Sequence, residues 1–140
     1  MARRCRVVVP SSRRLPLTED YWIEVKDRLN VGERNEARAI AINVTPNGVL
    51  VPDLKVAGLA EIAAHLVDWN ITDPGHKVID IDGVTLSDRL AALGRLDQDT
   101  MDEIEAAFAR HEEAMKAARE AEKNSQDGEK TDAEISPSVA

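Results

Sequence analysis

The residues best able to do chemistry in this chain are three histidines, a single cysteine and many carboxylates. His65 and His111 fall near apolar positions of predicted helices, where a histidine is more often packed and hydrogen-bonded than a ligand or a base. His76 stands apart from both. Cys5 is the only cysteine; it lies in a basic segment that could activate its thiol, but no partner base accompanies it.

These residues do not combine into a reactive site. The glycine-rich loops of dinucleotide and phosphate sites, the serine-hydrolase elbow and the zinc-protease helix motif are all missing from the sequence. The obvious carboxylates lie at helix starts or on solvated helix faces, so no nucleophile, base and orienting group occur together. The sequence therefore predicts a non-enzymatic protein without catalytic, cofactor-binding or metal-binding residues.

The net charge of the chain limits the classes of partner that it can bind. The 140 residues carry a net charge of −8, with a sequence pI of about 4.9, which argues against a general nucleic-acid binder. The first 14 residues hold five arginines and no acid, a composition that could contact phosphate. We expect residues 1–19 to be a flexible, solvated segment, with the alternative that Arg6–Val9 adds to a sheet edge.

The composition suits a soluble intracellular domain. Apolar residues make up 43 % of the chain, enough for a core, but no apolar run approaches the roughly 20 residues of a membrane span. Val7–Val9 is cut off by Pro10 before it could form a signal-peptide core. A lone cysteine fits a reducing cytoplasm.

The most apolar stretch, Gly58–Ile71, predicts a central helix that Asp53 caps and that runs to about Trp69. Leu59, Ile62, Leu66 and Trp69 recur at spacings of three, four and three, the period of one helical face. This face is best explained as core, and Asn70–Gly75 then ends the helix because proline and glycine interrupt it.

Upstream, residues 20–29 alternate like a short, half-exposed strand. If Ile23 is the buried face, Trp22 is exposed; the opposite phase remains open. Asn30–Glu33 has the form of a capping box for a helix over Val31–Val44. Thr45–Gly48 is strong turn chemistry, so residues 42–52 could equally form a β-hairpin.

Downstream, Thr85–Asp88 opens a short helix that ends at Gly94, and a last helix starts at Asp97 or Thr100. One face of this helix, its seam, has the spacing of a helix–helix contact and is formed by Met101, Ile104, Phe108, His111, Met115 and Ala118. The seam could pack against the core of the protein or bind a partner. Residues 124–140 are polar and acidic and are predicted to be disordered. The expected fold is mainly α: a domain over 20–123 of about four helices with a minor hairpin or short strands, a long C-terminal helix and a disordered acidic tail.

Three pieces of the chain, in this order, resemble one known family. They are Asp20-Tyr-Trp-Ile-Glu-Val-Lys26 with Leu29-Asn-Val-Gly-Glu33, then Leu66–Gly75, then Leu96–Ile104 followed by His111-Glu112. Together they look like the tail assembly chaperones of long-tailed bacteriophages and prophages. The similarity covers roughly residues 20–114.

The resemblance implies a binding function in the cytoplasm of a bacterial host. Such chaperones coat the tape-measure protein and help recruit tail-tube subunits, and some are also made as a longer frameshifted product. Trp22, Met101, Phe108 and Met115 are the candidate partner-binding residues. Self-association is possible, whereas membrane and nucleic acid are not expected partners. The alternatives are a minor structural tail or virion component and a small regulatory, antitoxin-like protein.

Overall fold

The computed structural model describes the backbone of residues 6–139 and the side chains of residues 6–124. Within these residues, the chain up to Phe108 forms one compact unit, and the chain from Ala109 onward forms a second. The elements are β1 (Ser12–Pro16), β2 (Trp22–Lys26), α1 (Val31–Ile40), β3 (Ile42–Val44), β4 (Leu50–Pro52), α2 (Leu54–His65), β5 (Leu66–Trp69), α3 (Leu86–Leu93) and α4 (Gln98–Val139). Over residues 6–139, four α-helices and two small antiparallel sheets confirm the prediction of about four helices with a minor hairpin or short strands. Helix makes up about half of the chain.

The larger sheet has the strand order β1-β2-β5, with both pairs antiparallel. Its central strand shows the alternation expected of a sheet with one buried face. Ile23 and Val25 are fully buried, whereas Trp22, Glu24 and Lys26 are only partly covered. The phase left open by the sequence is therefore settled: Trp22 lies on the outer face.

The first strand corrects the prediction of flexibility for Ser12–Pro16, which lie within the segment 1–19. Ser12–Pro16 pairs with β2 along its whole length. Two arginines of β1 form ion pairs with acidic residues on and just after β2, although their side chains remain at least half-exposed. Arg13 Nε lies 2.9 Å from Asp27 Oδ1, and Arg14 Nε lies 3.5 Å from Glu24 Oε1. The strand lies downstream of Arg6–Val9, the segment that the sequence suggested could add to a sheet edge. The sequence did not reveal the pairing of β1 with β2, because strand pairing depends on residues outside the strand itself.

The central helix is shorter than predicted, since α2 ends at His65 and Leu66–Trp69 form β5. The reason is a bulge: Trp69 pairs with Ile23 and Leu66 pairs with Val25, which leaves Val67 as the extra residue. The bulge turns both Leu66 and Trp69 inward although they are three residues apart. Their spacing imitates a helical face, and this explains the error.

The prediction of a helix over Val31–Val44 was wrong at its end, because the alternative hairpin forms. Its beginning was right: the Asn30 side chain accepts from the Glu33 amide at 2.8 Å, and the Asn30 amide donates to Glu33 Oε1 at 3.0 Å. After Ala41, strands β3 and β4 pair across the turn Thr45–Gly48. Gly48 has a φ of 79°, which the turn requires and glycine adopts without strain.

The last two helices begin where their caps predicted. The Asp88 amide donates to Thr85 Oγ1 at 3.1 Å, and the Thr100 amide donates to Asp97 Oδ1 at 2.7 Å. Asp97, rather than Thr100, is therefore the cap of α4. The sequence predicted a disordered tail over residues 124–140, whereas the backbone continues α4 as far as Val139. The side chains of residues 125–140 lie outside the described part of the chain.

Between β5 and α3 the chain makes one isolated bridge, which pairs Thr72 with Val78. The core of the first unit draws on the sheet and on all four helices. Its largest fully buried side chains are aliphatic, apart from one indole: Trp69, Ile23, Leu66, Ile81, Ile104 and Val25.

A polar cluster joins β2 to α1 at the edge of this core. Glu33 forms an ion pair with Lys26 in addition to its capping bond. Burial alone would raise the pKa of Glu33, but the hydrogen bonds from Lys26 and from the Asn30 amide, with the charges of Lys26 and Arg89, outweigh it and lower the pKa. The ionised carboxylate therefore stabilises the folded state.

We expect Glu33→Gln to lower the free energy of unfolding by about 1 kcal/mol near neutral pH, because it removes the negative charge that Lys26 and the Asn30 amide both contact. A lowered folded pKa means that this contribution is present above the unfolded pKa and is lost as the pH falls through the folded one. The difference in melting temperature between wild type and variant should thus shrink as the pH is lowered from about 5 to about 3. Glu36→Gln, on the exposed side of the same helix, is the control. A difference that stays constant over this range would contradict the ion-pair explanation.

Candidate apolar binding surface

The hairpin β3–β4 is the least charged part of a highly charged chain. No Asp, Glu, Lys or Arg occurs from Ala39 to Pro52, although such residues make up 31 % of the sequence. Its aliphatic side chains are nevertheless exposed: Val44 at 66 % and Leu50 at 65 %, with Ile42, Val49 and Val51 also exposed. Contiguous exposed aliphatic side chains of this kind usually mark a binding surface.

The register of the hairpin sorts these side chains onto two faces. Residues paired directly across an antiparallel ladder point to the same side. Ile42 pairs with Pro52 and Val44 pairs with Leu50, so these four side chains share one face. Val51 and its cross-strand partner Asn43 lie on the other face. The first face is wholly apolar.

That face continues into a groove at the base of the hairpin. The groove has a volume of about 420 Å³. Its apolar lining comes from the loop before α1, from α1, from both strands and from α2: Leu29, Ala37, Ala41, Ile42, Pro52 and Ala57. Since Ile42 and Pro52 belong to both features, the groove and the hairpin face form one apolar strip.

Charged side chains line the groove beside its apolar residues. Arg34, Arg38 and Glu61 complete its lining, and Arg34 Nη1 lies 3.7 Å from Glu61 Oε1. Both members of this pair are largely solvated, so its contribution to stability is small. The arrangement is that of a typical recognition site, with an apolar floor and a polar rim.

The candidate partner-binding residues from the sequence do not gather at this strip. Met101 and Phe108 are buried in the core, so the first half of the α4 seam is an internal contact and cannot receive a partner in this fold. Trp22 is half-buried, with the Arg14 guanidinium 3.8 Å from the centroid of its ring. Met115, in the second unit, is half-buried.

A second, polar cleft lies elsewhere in the first unit. It has a volume of about 730 Å³, and five carboxylates line it together with His76 and Arg95: Glu19, Asp73, Asp97, Asp99 and Glu103. Among residues with described side chains, no three histidine, cysteine, aspartate or glutamate residues are placed to hold a metal ion. In the same part of the chain, no helix has the length and apolarity needed to cross a bilayer.

The sequence did not indicate the apolar strip, because its residues have the pattern of ordinary hairpin strands. One signal was present: 14 uncharged residues, from Ala39 to Pro52, in a chain this charged. The sequence does not show that both faces of the hairpin are solvated, because burial depends on what packs beside it. A comparison of the chain with protein-family models, characterised proteins and solved structures found no match.

Proposed function

We propose that this protein is a non-enzymatic binding protein, a phage tail assembly chaperone that holds apolar helical segments of a tape-measure protein. The observation that carries the proposal is the continuous apolar strip of groove and hairpin face. A protein that must keep an aggregation-prone partner soluble needs such a surface. The sequence resemblance supplies the identity of the partner, and the strip supplies a place for it.

The groove suits one face of an amphipathic helix. Alanines form much of its floor, and small side chains let another helix approach closely. Val44 and Leu50 extend the apolar contact beyond the groove. The rim offers two arginines and one glutamate, which can pair with charged residues flanking the apolar face of the incoming helix.

The wider role rests on the resemblance and on charge. Recruitment of tail-tube subunits and action in the cytoplasm of a bacterial host belong to the proposal as the family implies them. A net charge of −8 would keep many copies soluble while they coat one long partner. Because the hairpin face of the strip carries no charge, this repulsion is weakest there.

Leu50→Asp should abolish the chaperone effect without unfolding the protein. The side chain is 65 % exposed, so the substitution costs little stability, but it places a charge on the hairpin face of the apolar strip. The protein is co-expressed with helical fragments of the tape-measure protein encoded beside it, and the soluble, co-purifying fragment is quantified. We expect the yield to fall at least tenfold with Leu50→Asp.

The matched control is Val31→Asp, which introduces the same charge at a side chain that is 77 % exposed. Val31 is the first residue of α1, where a carboxylate suits the helix dipole. Co-purification should survive this change. If wild-type protein leaves every fragment insoluble, the chaperone function is excluded. Mass spectrometry of purified particles separates a chaperone, which should be absent, from a structural tail component, which should remain.

A further inference from the structure

The hairpin has two outer strand edges whose hydrogen-bonding capacity differs. The Thr45 amide donates to the Val49 carbonyl at 2.9 Å, and the Asp53 amide donates to the Ala41 carbonyl at 2.7 Å. Hydrogen-bonded pairs alternate along an antiparallel ladder, so Asn43 and Val51 form the pair between these two. The residues between them therefore direct their backbone groups away from the hairpin.

The outer edge of β3 is complete, and that of β4 is not. Ile42 and Val44 each present an N–H and a carbonyl outward from β3. On β4 the corresponding residues are Leu50 and Pro52, and proline has no N–H to donate. A strand can thus pair fully along β3, whereas along β4 it loses the bonds that Pro52 would have donated.

We propose that the outer edge of β3 pairs with the same edge of a second copy of this chain. In an antiparallel arrangement with its two-fold axis at Asn43, Ile42 of each copy lies opposite Val44 of the other. Each such pair exchanges two backbone hydrogen bonds, so all four outward groups of each β3 edge are satisfied. The two hairpins become one four-stranded sheet, in the order β4-β3-β3-β4.

Charge favours a second copy over a different, basic partner at this edge. Two chains that each carry −8 repel each other least where neither presents charge, and residues 39–52 are the longest uncharged stretch. A basic partner would instead be drawn to the acidic surfaces elsewhere. The two-fold axis is perpendicular to the sheet, so the Val44–Leu50 faces of both copies lie on the same side and double the apolar surface.

The larger sheet shows what a protected edge looks like in this protein. Strand β1 carries Arg13, Arg14 and Pro16, which oppose the addition of another strand. At the opposite edge, Arg89 Nη1 donates to the Leu66 carbonyl at 2.6 Å. Strand β3 has neither device, since it consists of Ile42, Asn43 and Val44. The unprotected edge is therefore the one that also lacks charge.

The contact is small, and this sets the strength to expect. Three residues per strand bury much less than the roughly 1,200 Å² of a standard interface. We expect a reversible dimer with a dissociation constant on the order of 100 µM. The inference does not depend on the proposed function, because self-pairing requires no tape-measure protein.

Site-specific disulfides test the register in the full-length chain. In a Cys5→Ser background, which removes the only native thiol, Asn43→Cys is compared with Val51→Cys. On the two-fold axis the two residues at position 43 form a pair with a Cα separation of about 4.5 Å, within the range of a disulfide. The residues at position 51 lie about three strand spacings apart, roughly 14 Å, which is too far.

Under mild oxidation at high protein concentration we expect at least tenfold more covalent dimer from Asn43→Cys than from Val51→Cys. Adding Val44→Pro removes an outward N–H and should suppress the cross-link. Adding Leu50→Pro makes the matched change on β4 and should not. Equal cross-linking at both positions, preferential cross-linking at position 51, or a purely monomeric wild type in sedimentation at millimolar concentration would each overturn the proposal.

Discussion

Trp69→Ala is expected to lower the free energy of unfolding by about 3–5 kcal/mol, which is a large part of the stability of a small domain. Trp69 is only 1 % exposed and is the largest fully buried side chain of the described core. Its truncation leaves a cavity between β5 and the segment that follows. Chemical denaturation followed by circular dichroism measures the loss without relying on tryptophan fluorescence.

The indole also makes a hydrogen bond that phenylalanine cannot make. Trp69 Nε1 donates to the Ile79 carbonyl at 2.7 Å and so ties β5 to the irregular segment before α3. Trp69→Phe keeps most of the apolar volume but leaves this carbonyl without its donor. It should cost about 1–3 kcal/mol, the penalty for a buried polar group that has lost its partner.

Trp22→Ala is the matched control for this experiment. Trp22 lies half-buried on the outer face of the same sheet, where its ring contacts the Arg14 guanidinium. Its loss should cost about 1 kcal/mol, because an exposed cation–π contact is weak. If the two alanine variants had equal effects, the assignment of Trp69 to the core and Trp22 to the surface would be wrong.

Phe108→Ala should also destabilise the first unit by about 3–5 kcal/mol. Phe108 is 8 % exposed, and its ring meets the buried ring of His65 edge-on, with 4.9 Å between centroids. The substitution removes both the packing and this aromatic contact between α2 and α4. Thermal and urea denaturation of the purified variant measure the effect.

This prediction separates the two interpretations of the α4 seam. If the seam faced a partner, Phe108→Ala would leave the melting temperature unchanged and weaken co-purification. If it is core, stability falls and the remaining folded protein still binds its partner. Glu105→Ala, an exposed change on the same helix, should alter stability by less than about 0.5 kcal/mol.

The sequence by itself determined those features that depend on a few neighbouring residues. Asn30 with Glu33, Thr85 and Asp97 marked the starts of three helices because a capping bond spans only three residues. The turn at Thr45–Gly48 was visible for the same reason. The period-two pattern around Ile23 indicated a half-buried strand and left only its phase open.

Tertiary structure alone decided the features that depend on distant partners. A helical spacing and a bulged strand both place Leu66 and Trp69 on one side, and only pairing with β2 selects the strand. The arginines of β1 are ordered by acids on or just after β2, which a composition of basic residues cannot reveal. Likewise, whether Phe108 is covered depends on His65, 43 positions earlier in the chain.

The candidate site shows the same division. The absence of charge from Ala39 to Pro52 is a property of the sequence. Whether this uncharged stretch forms a binding surface depends on its burial. Uncharged residues inside a core are ordinary, whereas a contiguous apolar patch in solvent marks a binding surface. The fold buries Met101 and Phe108, exposes Val44 and Leu50, and thereby moves the candidate surface from α4 to the hairpin.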